Sequence, residues 1–266
     1  MKLPLRLERR RRMVYLLPNL FTSASLFCGL LAIVRAAGGD YTQACYLIIA
    51  SGVFDALDGP VARITRSASS FGQEYDSLAD LVAFGVAPAF LMLQKLNAIG
   101  ASAELHRWAP NLALGACGLF VICGAIRLAR FNIQVAREER KMFTGLPIPG
   151  AALVVVSAFL FVETYMAETK MLHRVILLLM IGLSGLMVST IPFPKAANVM
   201  AKQQRNPNAL VVMVFAVALV GILWPHLPAL LLGSSVLYLG ISILLFARSL
   251  FKDSAPDAVR DPSTTT

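Results

Sequence analysis

Residues 19–37 and 175–193 are apolar runs long enough to cross the hydrocarbon of a bilayer, the first carrying Arg35 alone and the second no charge. Inside hydrocarbon there is no water to satisfy backbone N–H and C=O groups, and a helix satisfies them within one segment. Windows at 42–62, 72–94, 110–130, 148–167, 209–224 and 228–247 read the same way, giving about eight spans. The seventh is short, and the last two, joined by WPHLP, are alternatively one broken hairpin. The chain is 57% hydrophobic and 15% charged, whereas soluble domains are roughly half apolar and a quarter charged. The expected fold is all-α and integral to the membrane. The basic start followed by an apolar run resembles a signal peptide, but the run is long, ends in RAAGGD and precedes further spans, so a retained first span is expected. Residues 1–18 are expected as a basic amphipathic arm on the membrane surface. The Pro/Ser/Thr-rich tail at 248–266 is expected to be disordered.

The net charge of +9 points to anionic lipid headgroups rather than nucleic acid, because no soluble basic face interleaved with aromatics is present. Apart from Arg35, Lys95, Arg107, Lys170 and Arg174, all 24 Lys and Arg fall on one side of an eight-span topology. The positive-inside rule makes that side cytoplasmic and places both termini there. Cys28, Cys45, Cys117 and Cys123 lie in apolar segments without metal-type spacing and read as small buried hydrophobes. His106, His173 and His226 fall near outer loops, away from any acidic cluster.

A carboxylate within a membrane span is energetically costly and is a functional-site hypothesis by default. Most of the acids read as loop or tail residues; Asp55, Asp58, Asp76 and Asp80 do not. Asp55 and Asp58 stand three apart on the second span and Asp76 and Asp80 four apart on the third, so each pair shares a helix face. A turn at about 63–71 brings the faces together at the cytoplasmic edge. Four converging carboxylates repel one another and require protons or cations. Hard oxygen ligands select Mg²⁺, Mn²⁺ or Ca²⁺, and two ions sharing carboxylates at roughly 3.5–4 Å separation are a device for phosphoryl chemistry. Gly59 and Ala62 leave room for a ligand, Arg63 offers a fork for phosphate or base, and Gly72 allows close helix approach. The competing reading pairs these acids with Arg63, Arg66, Arg127 and Arg130 as buried salt bridges. Such pairs are weak devices for stability, and they leave the small residues unexplained.

The pattern Asp55-x2-Asp58-Gly59-x2-Ala62-Arg63-x8-Gly72-x3-Asp76-x3-Asp80 resembles, at every fixed position, the signature of the CDP-alcohol phosphatidyltransferase family. The resemblance implies a six-helix core, here at 19–192, with a two-helix C-terminal extension at 193–247 and a homodimer. It implies a CDP-lipid substrate, two metal ions (Mg²⁺ or Mn²⁺) and release of CMP. It assigns Asp55, Asp58 and Asp76 as metal ligands, and Asp80 as general base and further ligand. It assigns Asp58, Gly59, Ala62, Arg63 and Gly72 to the nucleotide site.

NLFTSASLFCGLLAI at 19–33, CGAIRLARFNI at 123–133, FTGLPIPGAA at 143–152 and LMVSTIPFPK at 186–195 resemble the branch of the family that uses serine. This implies transfer of a phosphatidyl group from CDP-diacylglycerol to L-serine in the cell membrane, with the active site facing the cytoplasm, as in a bacterial inner membrane. Serine is a zwitterion, so its site needs a cation for the carboxylate. Arg127 and Arg130 can supply it, or they snorkel to lipid phosphates. Asn132 offers an amide, and Gly145 and Pro147 belong to an irregular segment of the kind tolerated where it lines a cavity. No Ser/His or Cys/His pair offers a covalent route, so direct transfer is expected, with Asp80 taking the serine hydroxyl proton. Glycerol 3-phosphate or an inositol phosphate as acceptor stays open. A cation transporter is the reading from another class, although its acids should then line a path at mid-membrane.

Overall fold

The computed structural model describes residues 5–65, 67, 69–102, 109–136, 145–165, 170–189 and 226–253. The expected span at 209–224, Pro192, Lys195 and the tail beyond Asp253 lie outside them. Helices follow in order: α1 (Leu5–Ala37), α2 (Tyr41–Ile64), α3 (Ser70–Asp80), a π-helical turn (Leu81–Val86), α4 (Ala87–Ser102), α5 (Ala109–Ala136), α6 (Ile148–Tyr165), α7 (Lys170–Val188) and α8 (Leu227–Asp253). Among the described residues there is no strand. Among the described residues, five helical stretches are long and apolar enough to cross a membrane: Pro18–Ala37, Tyr41–Ala62, Ser70–Ala98, Asn111–Gln134 and Ile148–Tyr165. Leu177–Val188 and Pro228–Ser242 are shorter apolar helices. The chain is a multi-pass membrane protein. α1 starts at Leu5 and runs unbroken through Pro18.

Small residues at helical spacing explain the α1–α2 pair. Thr22, Ser25, Ala32 and Ala36 of α1 are buried, as are Ala44, Ile48 and Ser51 of α2, and the Ser25 and Ser51 hydroxyls meet at 2.8 Å. Small side chains let membrane helices approach closely, where packing and interhelical hydrogen bonds drive association. Leu20, Phe27, Leu30 and Val34 lie on the opposite, exposed side of α1, as a lipid-facing stripe should. RAAGGD closes the hairpin. Gly39 takes φ +82°, which a residue without Cβ adopts freely, and Asp40 Oδ1 accepts the Gln43 N–H at 3.2 Å.

The third span is interrupted by the π turn directly after Asp80. Pro88, the second residue of α4, has no N–H for the Phe84 carbonyl and crowds it. The Ala87 N–H instead reaches back five residues to the Val82 carbonyl. The turn packs under α1, where a Cβ on Gly29 would stand 2.7 Å from Ala83 Cα. Only glycine permits that approach.

Lys95, expected among the outer segments, pairs with Glu163 of the expected 148–167 span. Both lie in helices, α4 and α6, and form an ion pair at 3.0 Å. Lys95 is 4% exposed, with its ammonium near the Tyr41 and Phe159 rings. Membrane-embedded cations seek such partners.

Candidate active site

The buried small-residue stripe of α2 (Ala44, Ile48, Ser51) continues at the same helical spacing into Asp55, Asp58 and Ala62, and this places the acids against α1 and α3. The hairpin into α3 is fixed locally. Ser69 caps α3, its hydroxyl accepting the Gly72 N–H at 3.0 Å. The Thr65 and Ser67 hydroxyls meet at 2.6 Å. About two and three turns into α3, Asp76 and Asp80 face α2. Asp55 stands opposite Asp80, and Asp58 opposite Asp76, each pair within side-chain hydrogen-bonding reach.

Oxygens of Asp55, Asp76 and Asp80 lie within 4.8 Å of one another. Asp76 Oδ1 and Asp80 Oδ1 are buried and have no hydrogen-bond partner. Buried polar atoms are normally satisfied, and orphaned carboxylate oxygens in a like-charged cluster fit hard cations. This acidic triad could therefore hold a divalent metal. Asp58 stands outside the triad, where the Thr22 hydroxyl donates to its Oδ2 at 3.0 Å. The salt-bridge alternative finds no support at α5: neither Arg127 nor Arg130 forms an ion pair with the four acids. The side chains of Arg63 and Arg66 lie outside the described residues.

Two cavities flank the acids. One, of about 270 Å³, is lined by Gly59, Ala62 and Gly72 together with Asn19, Thr22, Ser67, Ser69, Gln73, Asp58 and Asp76. Of the residues expected for the nucleotide, Asp58, Gly59, Ala62 and Gly72 line this cavity, and the Arg63 side chain lies outside the described residues. A Cβ on Gly59 would meet nothing within 4 Å, so that position opens on free space, whereas one on Gly72 would approach Ser69 Oγ at 3.2 Å. Asn19 and Thr22 were not singled out from the sequence, although they form a polar i, i+3 pair at the start of an apolar run.

The other cavity, of about 290 Å³, is lined by all four acids with Ser77, Arg127, Leu128, Phe131, Pro147 and Pro149. Arg127 is half-buried, and its Nε lacks a hydrogen-bond partner. Three further candidates are placed elsewhere. Arg130 is exposed. Asn132 donates to Glu74 Oε2 at 3.0 Å and accepts from Ser77 Oγ at 3.2 Å, tying α5 to α3. Gly145 (φ +89°) lies so close to the Met187 carbonyl that a Cβ would clash, and the neighbouring Leu146 N–H donates to Leu186 O at 3.0 Å. These contacts hold the loop that presents Pro147 and Pro149.

A family model described as CDP-alcohol phosphatidyltransferase matches residues 15–186. The chain belongs to the CDP-alcohol phosphatidyltransferase family. The matched region of this phosphatidyltransferase ends in α7, so α8 lies beyond it. The chain is 40% identical over 186 residues to the CDP-diacylglycerol–serine O-phosphatidyltransferase of Helicobacter pylori, covering 70% of this chain and 75% of that protein. It is 37% identical to the protein of the same name from Methanocaldococcus jannaschii, covering 83% and 90% of the two chains. It is 36% identical to the archaetidylserine synthase of Methanothermobacter thermautotrophicus, over 67% and 70%.

Proposed function

We propose that this enzyme transfers the phosphatidyl group of CDP-diacylglycerol to the hydroxyl of L-serine, giving phosphatidylserine and CMP. The observation that carries the reading is the placement of the acids between two cavities of different character. The cavity lined by Gly59, Ala62 and Gly72 takes the cytidine diphosphate end, with Arg63 supplying a further cation. The cavity lined by Arg127 takes serine, whose carboxylate satisfies the guanidinium. Relatives named for serine transfer support this acceptor.

Asp55, Asp76 and Asp80 would hold Mg²⁺ or Mn²⁺, two ions in all, with Asp58 held by the Thr22 hydroxyl on the side proposed for the nucleotide. Bound divalent ions supply Lewis-acid polarisation of the diphosphate and neutralise charge on the departing CMP. Asp80 accepts the proton of the serine hydroxyl as its oxygen bonds to the lipid-side phosphorus and the bond to CMP breaks. Transfer is direct, with no phosphatidyl-enzyme adduct. The chain works as a homodimer with a six-helix core at 19–192 and a C-terminal hairpin at 193–247, its active site on the cytoplasmic face of a bacterial inner membrane. The side carrying most Lys and Arg supports that orientation.

Isolated membranes supplied with CDP-diacylglycerol test the acceptor. Radiolabelled serine is expected to enter lipid and glycerol 3-phosphate is not; the reverse result overturns the assignment.

A further inference from the structure

Two walls of the Arg127 cavity belong to helices that pack elsewhere. Arg127, Leu128 and Phe131 line it from α5, and Asp76, Ser77 and Asp80 line it from α3. Helix α5 packs chiefly against α4, α7 and the π turn, and α3 against α1 and the π turn. Asn132, the residue after Phe131, spans the gap between them. Its Nδ2 donates to Glu74 Oε2 at 3.0 Å, and its Oδ1 accepts from Ser77 Oγ at 3.2 Å. Ser77 shares that hydroxyl proton with the Gln73 carbonyl at 3.1 Å, so the stronger of the two links is the one to the charged Glu74. Glu74 and Ser77 stand three apart and so share a face of α3. One amide on α5 therefore grips α3 at two points. Glu74 is exposed and lines neither cavity.

We propose that Asn132 is a positioning residue: clamped to Glu74 and Ser77, it sets the gap between the acid-bearing face of α3 and the Arg127-bearing face of α5, and with it the length of acceptor that fits. The proposal rests on the reading of that cavity as the serine site. In that reading Asp80 on α3 engages the acceptor hydroxyl and Arg127 on α5 engages its carboxylate. The spacing of the two helices then fixes how far apart those two groups of the acceptor stand. L-Homoserine, which carries the same groups one methylene further apart, is disfavoured while the clamp is closed.

The test uses the full chain purified in lipid–detergent micelles, with serine and CDP-diacylglycerol varied separately and L-homoserine added as a competitor of serine. Asn132→Ala is expected to raise the serine KM roughly tenfold, the scale of a hydrogen bond to a charged group. It is expected to lower the ratio of homoserine Ki to serine KM by roughly tenfold, the scale of one methylene in a pocket. The KM for CDP-diacylglycerol is expected to stay unchanged. Because Glu74 lines neither cavity, its effect on the acceptor travels through Asn132. Glu74→Ala is expected to shift both readouts in the same direction, and Glu74→Gln, which keeps an acceptor oxygen for the amide, to leave them as in the unaltered chain. An unchanged ratio in Asn132→Ala or in Glu74→Ala overturns the proposal. If Asn132→Ala does not fold, the two Glu74 variants decide it alone. Arg127→Ala separates the two levels of the argument. If it leaves the serine KM untouched, the acceptor-cavity reading fails. If it raises the serine KM while the Asn132 and Glu74 variants keep the ratio, the inference about the clamp alone fails.

Discussion

An added methyl at Gly59 would meet no protein atom within 4 Å, so packing does not require glycine there, whereas the nucleotide of the proposed reading would meet it. Gly59→Ala is expected to leave the thermal midpoint unchanged and to raise the KM for CDP-diacylglycerol roughly tenfold, about 1.4 kcal/mol of lost binding. An unchanged KM would remove the nucleotide from that cavity. Asp80, like Asp55 and Asp76, belongs to both the triad and the lining of the Arg127 cavity. Asp80→Asn is expected to lower turnover by about 10²–10⁴-fold, the usual range for loss of a general base, while CDP-diacylglycerol still binds. Near-full activity would end its assignment as the base. The acids were legible in the sequence because a carboxylate in an apolar run has few explanations. The cations were less so. Arg127 and Arg130 stand three apart in sequence, which suggests a shared face. Only the packed bundle reveals that the first lines the cavity and the second is exposed.

The α1–α2 hairpin was readable at the level of elements because its apolar and small residues keep a helical period and its turn carries two adjacent glycines. The π turn was not. Pro88 is visible in the sequence, but a proline within a helix ordinarily signals a kink. The extra residue in the turn is accommodated only because Gly29 on another helix leaves space for Ala83. Gly29→Ala is expected to push α1 off the turn and lower the thermal midpoint, by about 1–3 kcal/mol on the scale of overpacking. The Lys95–Glu163 pair was missed because its partners are 68 residues apart. Glu163→Leu is expected to destabilise the protein by about 3–5 kcal/mol by stranding the buried Lys95 ammonium. Lys95→Met combined with Glu163→Leu should recover much of that loss. A double variant as unstable as the sum of the singles would mean the pair is not coupled.

At the scale of the whole molecule, α1, α2 and α3 form the side of the site proposed for the nucleotide, while α5 and the start of α6 form the other side. The four acids sit at the seam. Clustering at one end of the bundle, rather than along a path through it, sets this arrangement apart from an ion conduit. The most direct measurement is CMP release from CDP-diacylglycerol by the purified protein, with serine present, before and after exhaustive chelation. The account predicts that chelation abolishes release and that Mg²⁺ or Mn²⁺ restores it. Release that continues undiminished without divalent ions would contradict it.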